Sequence, residues 1–392
     1  MGAPKHKKGG AGWPRRCSGT AHIIRYRTAR GNLLSFDPIL NRTVKPFPNV
    51  FSLFLAHPLT TESSMKIAQP VLLTGATGFV GGHLAETLGK KGVKTRLLVR
   101  SVSRLAFKPG KSHEIALGDV TDPQAVRKAM VGVKTVMHLA GVLRGFNFKD
   151  YDRVNREGSL NLAKAALEAK TVKRFIQVSS LAGSGPSTPG RPRREGDPAA
   201  PVSFYGSTKL AGEEAVKATL GSKVAWTVVR PAGVYGPREK DIFQYFQMVH
   251  RGLAVLPGDG RQRVSYVHVN DLVDAILLSA GPKAVGKTYF VASEDADWLE
   301  LVALIERALG KRAVTLKIPL PLVKLSAFLS ELVGRARGQA AILNLDKVKE
   351  AVPTAWTCDS RAIRTGLGWK PKWTLEAGIR QAAESYRAAG WL

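Results

Sequence analysis

Residues 71–86, VLLTGATGFVGGHLAE, pass from an apolar run through a glycine-rich turn into a helical pattern. Three glycines recur in this stretch at a G-x-x-G-x-x-G spacing. Small residues let the backbone approach a pyrophosphate, and the free N–H groups of a helix N-terminus stabilise its charge. Between the first strand and the first helix of a βαβ unit, the spacing predicts a dinucleotide site; a tight turn without a ligand is the alternative. The predicted contacts are Gly75, Thr77, Gly78, Phe79, Val80 and Gly81.

Downstream of this turn, short runs of Val, Ile and Leu alternate with helical stretches. The predicted strands include TRLLVR, EIALGD, TVMHLAG, RFIQVSS and AWTVVRP, and the predicted helices include residues 80–91 and 152–169. Strands without polar alternation are buried on both faces, as in a parallel sheet flanked by helices. The pattern predicts an α/β fold, a doubly wound parallel Rossmann sheet with a smaller C-terminal substrate-binding region.

The domain boundaries follow from the same pattern. We predict a Rossmann domain over residues 65–235, with return segments from about residues 264–292, and a substrate-binding or capping region over most of residues 236–392. Residues 1–64 carry Gly, Pro and Arg clusters without a sustained period, and we expect a basic, disordered extension there. Met65 directly precedes the first strand pattern, so a true start at Met65, a flexible basic extension and a cleaved Arg-rich targeting peptide all stay open.

The composition limits the class of protein. A chain of 392 residues, 44% of them apolar, can bury a large core. The net charge of +29 favours nucleic-acid or membrane-surface contact, but it is spread without a long run, as on solvated helix faces. We therefore expect no specific nucleic-acid partner.

Cysteines, histidines and apolar runs point to a cytoplasmic protein without a metal. Cys17 and Cys358 are too few for a disulfide framework and lack metal-ligand spacing. The run IPLPLVKLSAFLSELVG is broken by two prolines and two charges, and no apolar run reaches the roughly 18 residues that span a bilayer. His83, His138 and His268 lie in apolar patterns, where structural histidines outnumber metal ligands.

The end of the second strand indicates which dinucleotide binds. An acid there would bond the ribose hydroxyls of NAD, but Arg100 stands 19 residues after Gly81, with Arg104 close by. A charge-assisted hydrogen bond to a 2′-phosphate corresponds to roughly a ten- to hundredfold preference. We expect NADP(H) to be preferred and NAD(H) to be possible; a solvated strand end is the alternative for Arg100.

Two further segments are predicted to line the cofactor. Asp119 and Val120, after the third strand, are suited to contact the adenine edge. Asp119 could instead serve only the turn, because Thr121 or Asp122 before Pro123 makes a good helix N-cap. The residues after the fourth strand, which present mainly backbone, are predicted to lie along the ribose of the cofactor. They are Leu139, Ala140 and Gly141.

The predicted catalytic residues are Ser180, Tyr205 and Lys209. Ser180 ends the fifth strand, and Tyr205 follows 25 residues later at a helix start, with Lys209 four residues on and on the same helix face. Both segments lie at the carboxyl edge of the sheet, on the side of the glycine turn. The ammonium can lower the phenol's pKa from about 10, so that Tyr205 exchanges a proton with a substrate oxygen held by Ser180. Lys209 is also predicted to bind the nicotinamide ribose.

A series of longer motifs carries a family resemblance. They are, in order, GATGFVG, GDVTD, HLAG, VNREGSLNL, VSS, YGSTK, RPAGVYGP, YVHVNDLVDAI and TGLGWKPKWTLEAGIRQ. In these motifs the chain resembles an extended short-chain dehydrogenase/reductase of the NAD-dependent epimerase/dehydratase family, over nearly all of residues 66–386. The resemblance implies that Asn155 supports the sheet edge, that Pro231 and the loop to Val234 lie near the nicotinamide, and that Asp271 orients the return segment.

The resemblance leaves several functions open. The stretch GDGRQRVSYVHVNDL is closer to family members that resemble hydroxysteroid dehydrogenases, dihydroflavonol-type reductases and the non-catalytic accessory subunit of respiratory complex I. Because Tyr205 and Lys209 are retained, we expect hydride transfer between NADP(H) and a secondary alcohol or ketone of a small molecule. A nucleotide-sugar epimerase or dehydratase with bound NAD(P) is one alternative, although Val264 stands where such epimerases carry a diphosphate-binding arginine. A non-catalytic NADP(H)-binding scaffold or redox sensor is another. The assembly stays open, with a homodimer as one option.

The loop between Ser180 and Tyr205 is rich in Pro and Gly and carries Arg191, Arg193 and Arg194. Two interpretations stand side by side. The loop could fold over an acidic or phosphorylated ligand as a lid, or it could be only a solvated connection.

Overall fold

The computed structural model describes residues 26–27, 33–34, 67–338, 341 and 343–392. The chain forms two compact units, Met1–Glu62 and Ser63–Leu392. In the first unit, strand β1 (Tyr26–Arg27) pairs antiparallel with β2 (Leu33–Leu34). The other expectations for residues 1–64 lie outside the described residues.

The second unit is built on a seven-stranded sheet. Its strands, in spatial order, are β12 (Lys287–Val291), β8 (Ala225–Pro231), β7 (Arg174–Val178), β6 (Thr135–His138), β3 (Val71–Thr74), β4 (Thr95–Val99) and β5 (His113–Leu117). Every neighbouring pair is parallel. The strand order reverses direction between β3 and β6, and in open α/β sheets the carboxyl ends form a ligand crevice at such a point. The predicted doubly wound parallel sheet is confirmed.

Helices cover both faces of this sheet. One face carries α1 (Phe79–Lys90), α7 (Val269–Leu278) and α11 (Arg361–Leu367); the other carries α2 (Pro123–Met130), α4 (Gly158–Glu168) and α5 (Phe204–Leu220). The neighbouring residues Leu72 and Leu73 of β3 are both fully buried, and they pack into the two different clusters. This two-sided burial is the reason why the strands show no polar alternation.

The predicted helix over residues 152–169 begins earlier and is not uniform. It consists of α3 (Phe148–Asp152), a π-helical turn (Arg153–Glu157) and α4. The side chain of Asn147 accepts a hydrogen bond from the backbone of Asp150, whose carboxylate bonds back to Asn147, so a capping box starts the helix. The prediction missed this signal because it lies before the apolar period begins.

The smaller C-terminal region, confirmed as predicted, has its own core. It contains α6 (Phe243–His250), α8 (Trp298–Leu309), α12 (Leu375–Ala388), a small sheet of β9 (Gly233–Tyr235), β11 (Arg263–His268), β13 (Glu294–Ala296) and β15 (Ala355–Trp356), and the parallel pair β10 (Leu253–Pro257) and β14 (Val314–Ile318). Phe246, Leu256 and Ile305 are fully buried in it. Within the predicted return segment, β12 pairs with β8 and thereby extends the main sheet.

Two more helices, α9 (Leu320–Ala336) and α10 (Leu345–Ala351), pack against each other. Of the seventeen residues of α9, all within the described part of the chain, only Ala327 is buried. Within the described ranges, none of the helices has the length and apolar character needed to cross a membrane.

Candidate cofactor and catalytic site

The glycine-rich turn lies at the carboxyl end of β3 and depends on its glycines. Gly75 has a φ of +79°, and a Cβ there would lie 2.7 Å from the backbone N of Ala140. A Cβ on Gly81 would lie 2.1 Å from the carbonyl oxygen of Gly75, so the first turn of α1 packs directly on the loop. Gly78 is the N-cap of α1 and supplies no side chain to its free N–H groups.

This turn fits the pyrophosphate of a dinucleotide. The first N–H groups of α1 have no intrahelical acceptor and favour an anion. Thr77 and Gly78 are exposed at the edge, whereas Phe79 and Val80 are half-buried. The backbone N of Leu139 donates to Thr74 O over 3.3 Å. The predicted ribose segment, 139–141, therefore lies beside the turn, as expected.

The residues predicted for the adenine end also come together. Arg100 Nη1 lies 3.6 Å from Asp119 Oδ2, and the Arg100 side chain is 66% exposed. Arg104 is exposed at the end of a 3-10 turn that follows Arg100. Asp119 additionally accepts hydrogen bonds from the backbone N and the hydroxyl of Thr121, so it does organise its own turn. The role of Asp119 in the turn is therefore confirmed, and its contact with the adenine edge stays a prediction.

Val120 is placed differently from its neighbours at the adenine end. It is 6% exposed, and a Cβ on Gly158 would lie 2.8 Å from Val120 Cγ2. Its side chain thus belongs mainly to the core beside α4. The N-cap of α2 is Asp122, with Pro123 at the first helical position, as the turn chemistry predicted.

The three predicted catalytic residues lie together at the carboxyl end of β7. Ser203 caps α5, which places Tyr205 in the first helical turn. The Ser180 side chain lies close enough to the Tyr205 hydroxyl to lower the pKa of this phenol. Lys209 is buried and its Nζ donates to the carbonyl of Val178 over 2.8 Å.

Lys209 also faces the predicted ribose segment. A Cβ on Gly141 would lie 3.7 Å from Lys209 Nζ, so the ammonium lies directly beside this segment. Burial lowers the pKa of Lys209 to about 8, with the nearby charge of Glu213 opposing the shift. At pH 7 the side chain is therefore still mostly protonated.

The electrostatics of the phenol differ from the expectation. The spacing predicted that Lys209 lowers the pKa of Tyr205, whereas the net pKa is raised, because burial penalises the phenolate. The hydrogen bond from Ser180 and the charge of Lys347 act in the opposite direction. The cation that lowers the pKa of Tyr205 in this structure is therefore Lys347, which lies 142 residues further along the chain.

Lys347 lies on α10, and α10 clamps the start of the tyrosine helix. Asp346 accepts from the backbone N of Phe204 over 2.9 Å, and Lys347 Nζ lies 2.7 Å from Glu350 Oε2. The sequence analysis missed this clamp. Its one local signal, the helix N-cap Asn344, indicates that a helix starts but not what the helix touches.

Three further contacts fix the elements around the site. Asn155 accepts from the backbone N of Val142 over 2.9 Å and donates to Thr208 Oγ1 over 3.0 Å, which supports the sheet edge as the resemblance implied. Asp271, within the return segment, accepts hydrogen bonds from the backbone N–H groups of Lys372 and Trp373 and so ties this segment to the chain before α12. Pro231 is buried at the end of β8, and Val234 follows in β9.

A buried ion pair holds the catalytic helix against the sheet. Arg230 Nη2 on β8 lies 2.7 Å from Glu213 Oε2 on α5, with side-chain exposures of 7% and 0%. Arg230 Nη1 also donates to Ser184 Oγ over 2.8 Å. The pair therefore joins β8, α5 and the loop that follows Ser180.

The arginine-rich loop is attached to the C-terminal region. Its backbone N–H at Arg193 donates to Thr357 O over 2.9 Å, and the Arg193 guanidinium donates to the carbonyls of Pro186 and Pro198. Arg194 lies 3.7 Å from Asp359. Two of the three arginines thus have protein partners.

The histidine at the end of β6 is structural, as predicted. His138 is fully buried, with Nδ1 at 2.7 Å from Thr74 Oγ1 and Nε2 at 3.0 Å from Ser159 Oγ. Burial, with the charge of Lys209, lowers the pKa of His138 to about 3, so the ring is neutral.

Known proteins with this architecture were compared with the chain. The ceramide reductase of Caulobacter vibrioides is 29% identical over 324 residues, covering 82% of this chain and 96% of the relative. The UDP-glucose 4-epimerase of Vibrio cholerae is 30% identical over 339 residues, covering 83% and 97%. The solved structure of MoeE5 with UDP-glucuronic acid and NAD is 25% identical with a TM-score of 0.67, covering 82% of this chain and 100% of that chain.

These similarities agree with a match to the model of one protein family. The NAD dependent epimerase/dehydratase family matches residues 71–292, which include the glycine turn, the Ser180–Tyr205–Lys209 cluster and β12. The resemblance inferred from the motifs is confirmed, and the chain is an enzyme of the extended short-chain type. It belongs to the NAD dependent epimerase/dehydratase family.

Proposed function

We propose that the protein catalyses reversible hydride transfer between NADP(H) and a secondary alcohol or ketone of a lipophilic molecule. The observation that carries the proposal is the placement of Ser180, Tyr205 and Lys209 at the sheet edge that also carries the glycine turn. A proton donor, an oxygen-binding hydroxyl and an ammonium next to a dinucleotide cradle are the groups that carbonyl reduction needs.

Each side chain has a distinct role in this proposal. Ser180 holds the substrate oxygen and polarises it, and Tyr205 gives that oxygen its proton during reduction or removes it during oxidation. Lys209 holds the ribose hydroxyls of the cofactor, and the charge of Lys347 on α10 stabilises the phenolate. The bound nicotinamide supplies or takes the hydride.

The preference for NADP(H) is supported by the charge at the end of β4. Arg100 is 66% exposed there and Arg104 is exposed close by, so both are accessible to a 2′-phosphate. The ion pair of Arg100 with Asp119, at 3.6 Å, would have to yield to the phosphate. A doubly charged phosphate offers the guanidinium bidentate, charge-assisted hydrogen bonds.

A lipophilic substrate is supported by the apolar loop after β6. Leu143, Phe146 and Phe148 are 52%, 39% and 43% exposed, which is unusual for large apolar side chains beside a polar crevice. Phe148 packs edge to face on Phe204, the neighbour of Tyr205, with ring centroids 5.7 Å apart. The similarity to a ceramide reductase, whose substrate is a lipid, points in the same direction.

A nucleotide-sugar epimerase or dehydratase is the second candidate. The observation in its favour is the similarity to a UDP-glucose 4-epimerase over 83% of the chain. Against it, Val264 replaces the expected arginine, and the nearby Arg263 is paired with Glu300 at 3.2 Å. The epimerase reaction regenerates its cofactor, whereas the reductase reaction consumes it.

The test is to follow NADPH absorbance with a long-chain methyl ketone dispersed in detergent, and separately with UDP-glucose. We expect NADPH consumption with the ketone and its loss in Tyr205→Phe. Turnover of UDP-glucose without net change of cofactor would favour the second candidate instead. Turnover that is unchanged in Tyr205→Phe would contradict the role of Tyr205, and no turnover of either substrate by a protein that still binds NADPH would favour a non-catalytic scaffold.

A further inference from the structure

Helix α9 presents a continuous apolar face to the solvent. Six of its residues are large, apolar and about half exposed, namely Leu322 (54%), Leu325 (54%), Phe328 (52%), Leu329 (51%), Leu332 (58%) and Val333 (47%). At 3.6 residues per turn they fall within an arc of about 140°. We call these six residues the α9 face.

The polarity of α9 is the reverse of that of an ordinary surface helix. A helix on a globular protein turns its apolar stripe towards the core and its polar residues outwards. In α9 the one buried residue, Ala327, lies on the side opposite the α9 face. The large apolar side chains of the α9 face are about half exposed, and no residue in the described part of the chain buries them.

The strand that precedes α9 extends this surface. Val314 and Leu316 of β14 are 73% and 48% exposed, and β14 leads into α9 through Pro319. Isolated exposed apolar residues are normal on protein surfaces, but a contiguous set of this size marks an interaction site.

The surroundings of the α9 face are strongly basic. Residues 311–338 contain one acid, Glu331, and six basic residues, namely Lys311, Arg312, Lys317, Lys324, Arg335 and Arg337. Glu331 is neutralised by Arg335 at 2.8 Å. By helical position, Lys324 and Arg335 flank the α9 face on one side and Arg337 on the other.

Charge decides between the possible occupants of this surface. A second copy joined about a two-fold axis would bring the same cations together and is opposed by their repulsion. An apolar stripe flanked by Lys and Arg is the arrangement of helices that lie in the interface of anionic membranes, where each cation near the surface adds to the attraction.

An open cavity lies between the C-terminal end of α9 and the loop after β6. It has a volume of about 380 Å³ and is lined by Phe146, Asn147, Arg335 and Gly338. Phe148, which starts α3 directly after this loop, packs on Phe204, the neighbour of Tyr205. A molecule that leaves the membrane at α9 would therefore meet the loop that borders the catalytic residues.

We infer that the α9 face docks the enzyme on an anionic membrane surface, from which the lipophilic alcohol or ketone enters the site. The route of the substrate rests on the proposed function, whereas the docking itself rests only on the exposed apolar residues and their basic flanks. Docking brings the opening between α9 and the loop after β6 to the lipid headgroups.

The test is co-sedimentation of the full-length protein with vesicles of phosphatidylcholine alone or mixed equally with phosphatidylglycerol. We expect binding to the mixed vesicles that weakens with salt, and at least about tenfold weaker binding for the triple variant Leu325→Ser, Phe328→Ser, Leu332→Ser. Val131→Ser, which removes an apolar side chain 69% exposed outside this surface, should bind like the wild type. The thermal shift by NADPH verifies that each variant is folded.

Several results would overturn the inference. They are no binding to mixed vesicles, equal binding to neutral vesicles, or equal binding of the triple variant. A dimer in solution that the triple variant converts to a monomer would assign the α9 face to a second copy instead. Vesicle binding without ketone turnover would refute only the proposed function, and turnover without vesicle binding would refute only the docking.

Discussion

The hydroxyl of Ser203 donates a hydrogen bond of 2.7 Å to the carboxylate of Glu350. Ser203 caps the helix that carries Tyr205, and Glu350 lies on α10 in the C-terminal region. The same carboxylate binds Lys347, whose charge acts on the Tyr205 phenol. The C-terminal region thus determines both the position of the tyrosine helix and the charge near its hydroxyl.

Replacing Lys347 by Met should shift the pH dependence of turnover. A nearby cation stabilises the phenolate and lowers the pKa of Tyr205, so its removal raises that pKa. Alcohol oxidation needs the phenolate, and its rise with pH should therefore move to higher pH in Lys347→Met. For ketone reduction, which needs the phenol, the fall at alkaline pH should also move upwards.

The measurement is kcat/KM for both directions over a pH series. Lys349→Met is the matched control, because Lys349 lies on the same helix and stacks on Phe204, 4.7 Å from the ring centroid. Identical pH profiles for Lys347→Met and the wild type would show that α10 acts on the site only as a mechanical support.

Replacing Tyr205 by Phe should lower the turnover rate by a factor of about 10² to 10⁴, which is the usual contribution of a positioned acid or base. The thermal shift by NADPH should stay, because the glycine turn is unchanged. Tyr266→Phe is the control, since the Tyr266 hydroxyl is buried without a hydrogen-bond partner in the described structure. A turnover loss in both variants would indicate general loosening of the fold rather than loss of a proton donor.

Replacing Arg100 by Ser should lower the preference for NADPH over NADH by roughly ten- to hundredfold. The change should come from weaker NADPH binding, because the 2′-phosphate loses its cation while the ribose of NADH keeps its contacts. Lys283→Ser removes an exposed cation beside β12, remote from β4, and should not alter the ratio of the two dissociation constants. A wild-type preference for NADH would refute the role given to Arg100 outright.

The fold and the local parts of the site could be predicted because their signals are local. The glycine turn, the strand end at Ser180 and the Tyr205–Lys209 spacing each lie within a few residues, and parallel strand ends must share one edge. The clamp of α10 on α5 could not be predicted, because it joins segments about 140 residues apart through side-chain packing. The apolar periodicity of a segment indicates that a helix or strand is present, but it does not indicate which other element that helix or strand packs against.

The π-helical turn and the exposed α9 face are features that the apolar periodicity of the sequence did not predict. The segment LPLVKLSAFLSELVG was expected only to belong to a capping region; it forms α9, and an ordinary surface helix would have buried the apolar stripe that α9 exposes. Whether a partner element covers an apolar face depends on the whole packing arrangement. Sequence alone therefore identified α9 as part of a capping region without showing that its apolar side faces outwards.

Breaking the buried pair of Arg230 and Glu213 should destabilise the protein strongly. Removing one partner leaves the other charge buried, which costs about 3 to 5 kcal/mol in the free energy of unfolding. Arg230→Met should show this loss in urea unfolding followed by tryptophan fluorescence. Arg307→Met, which breaks the exposed pair of Arg307 with Glu376, should cost less than about 1 kcal/mol.

The double variant Arg230→Met, Glu213→Leu distinguishes the loss of the ion pair itself from the cost of leaving one charge buried without its partner. With both charges gone, no buried carboxylate is left without a partner, so much of the lost stability should return. If the pair also positions the tyrosine helix, turnover should stay low after stability is restored, because the link from β8 through α5 to Ser184 is still missing. Recovery of stability and turnover together would show that the pair serves only the fold.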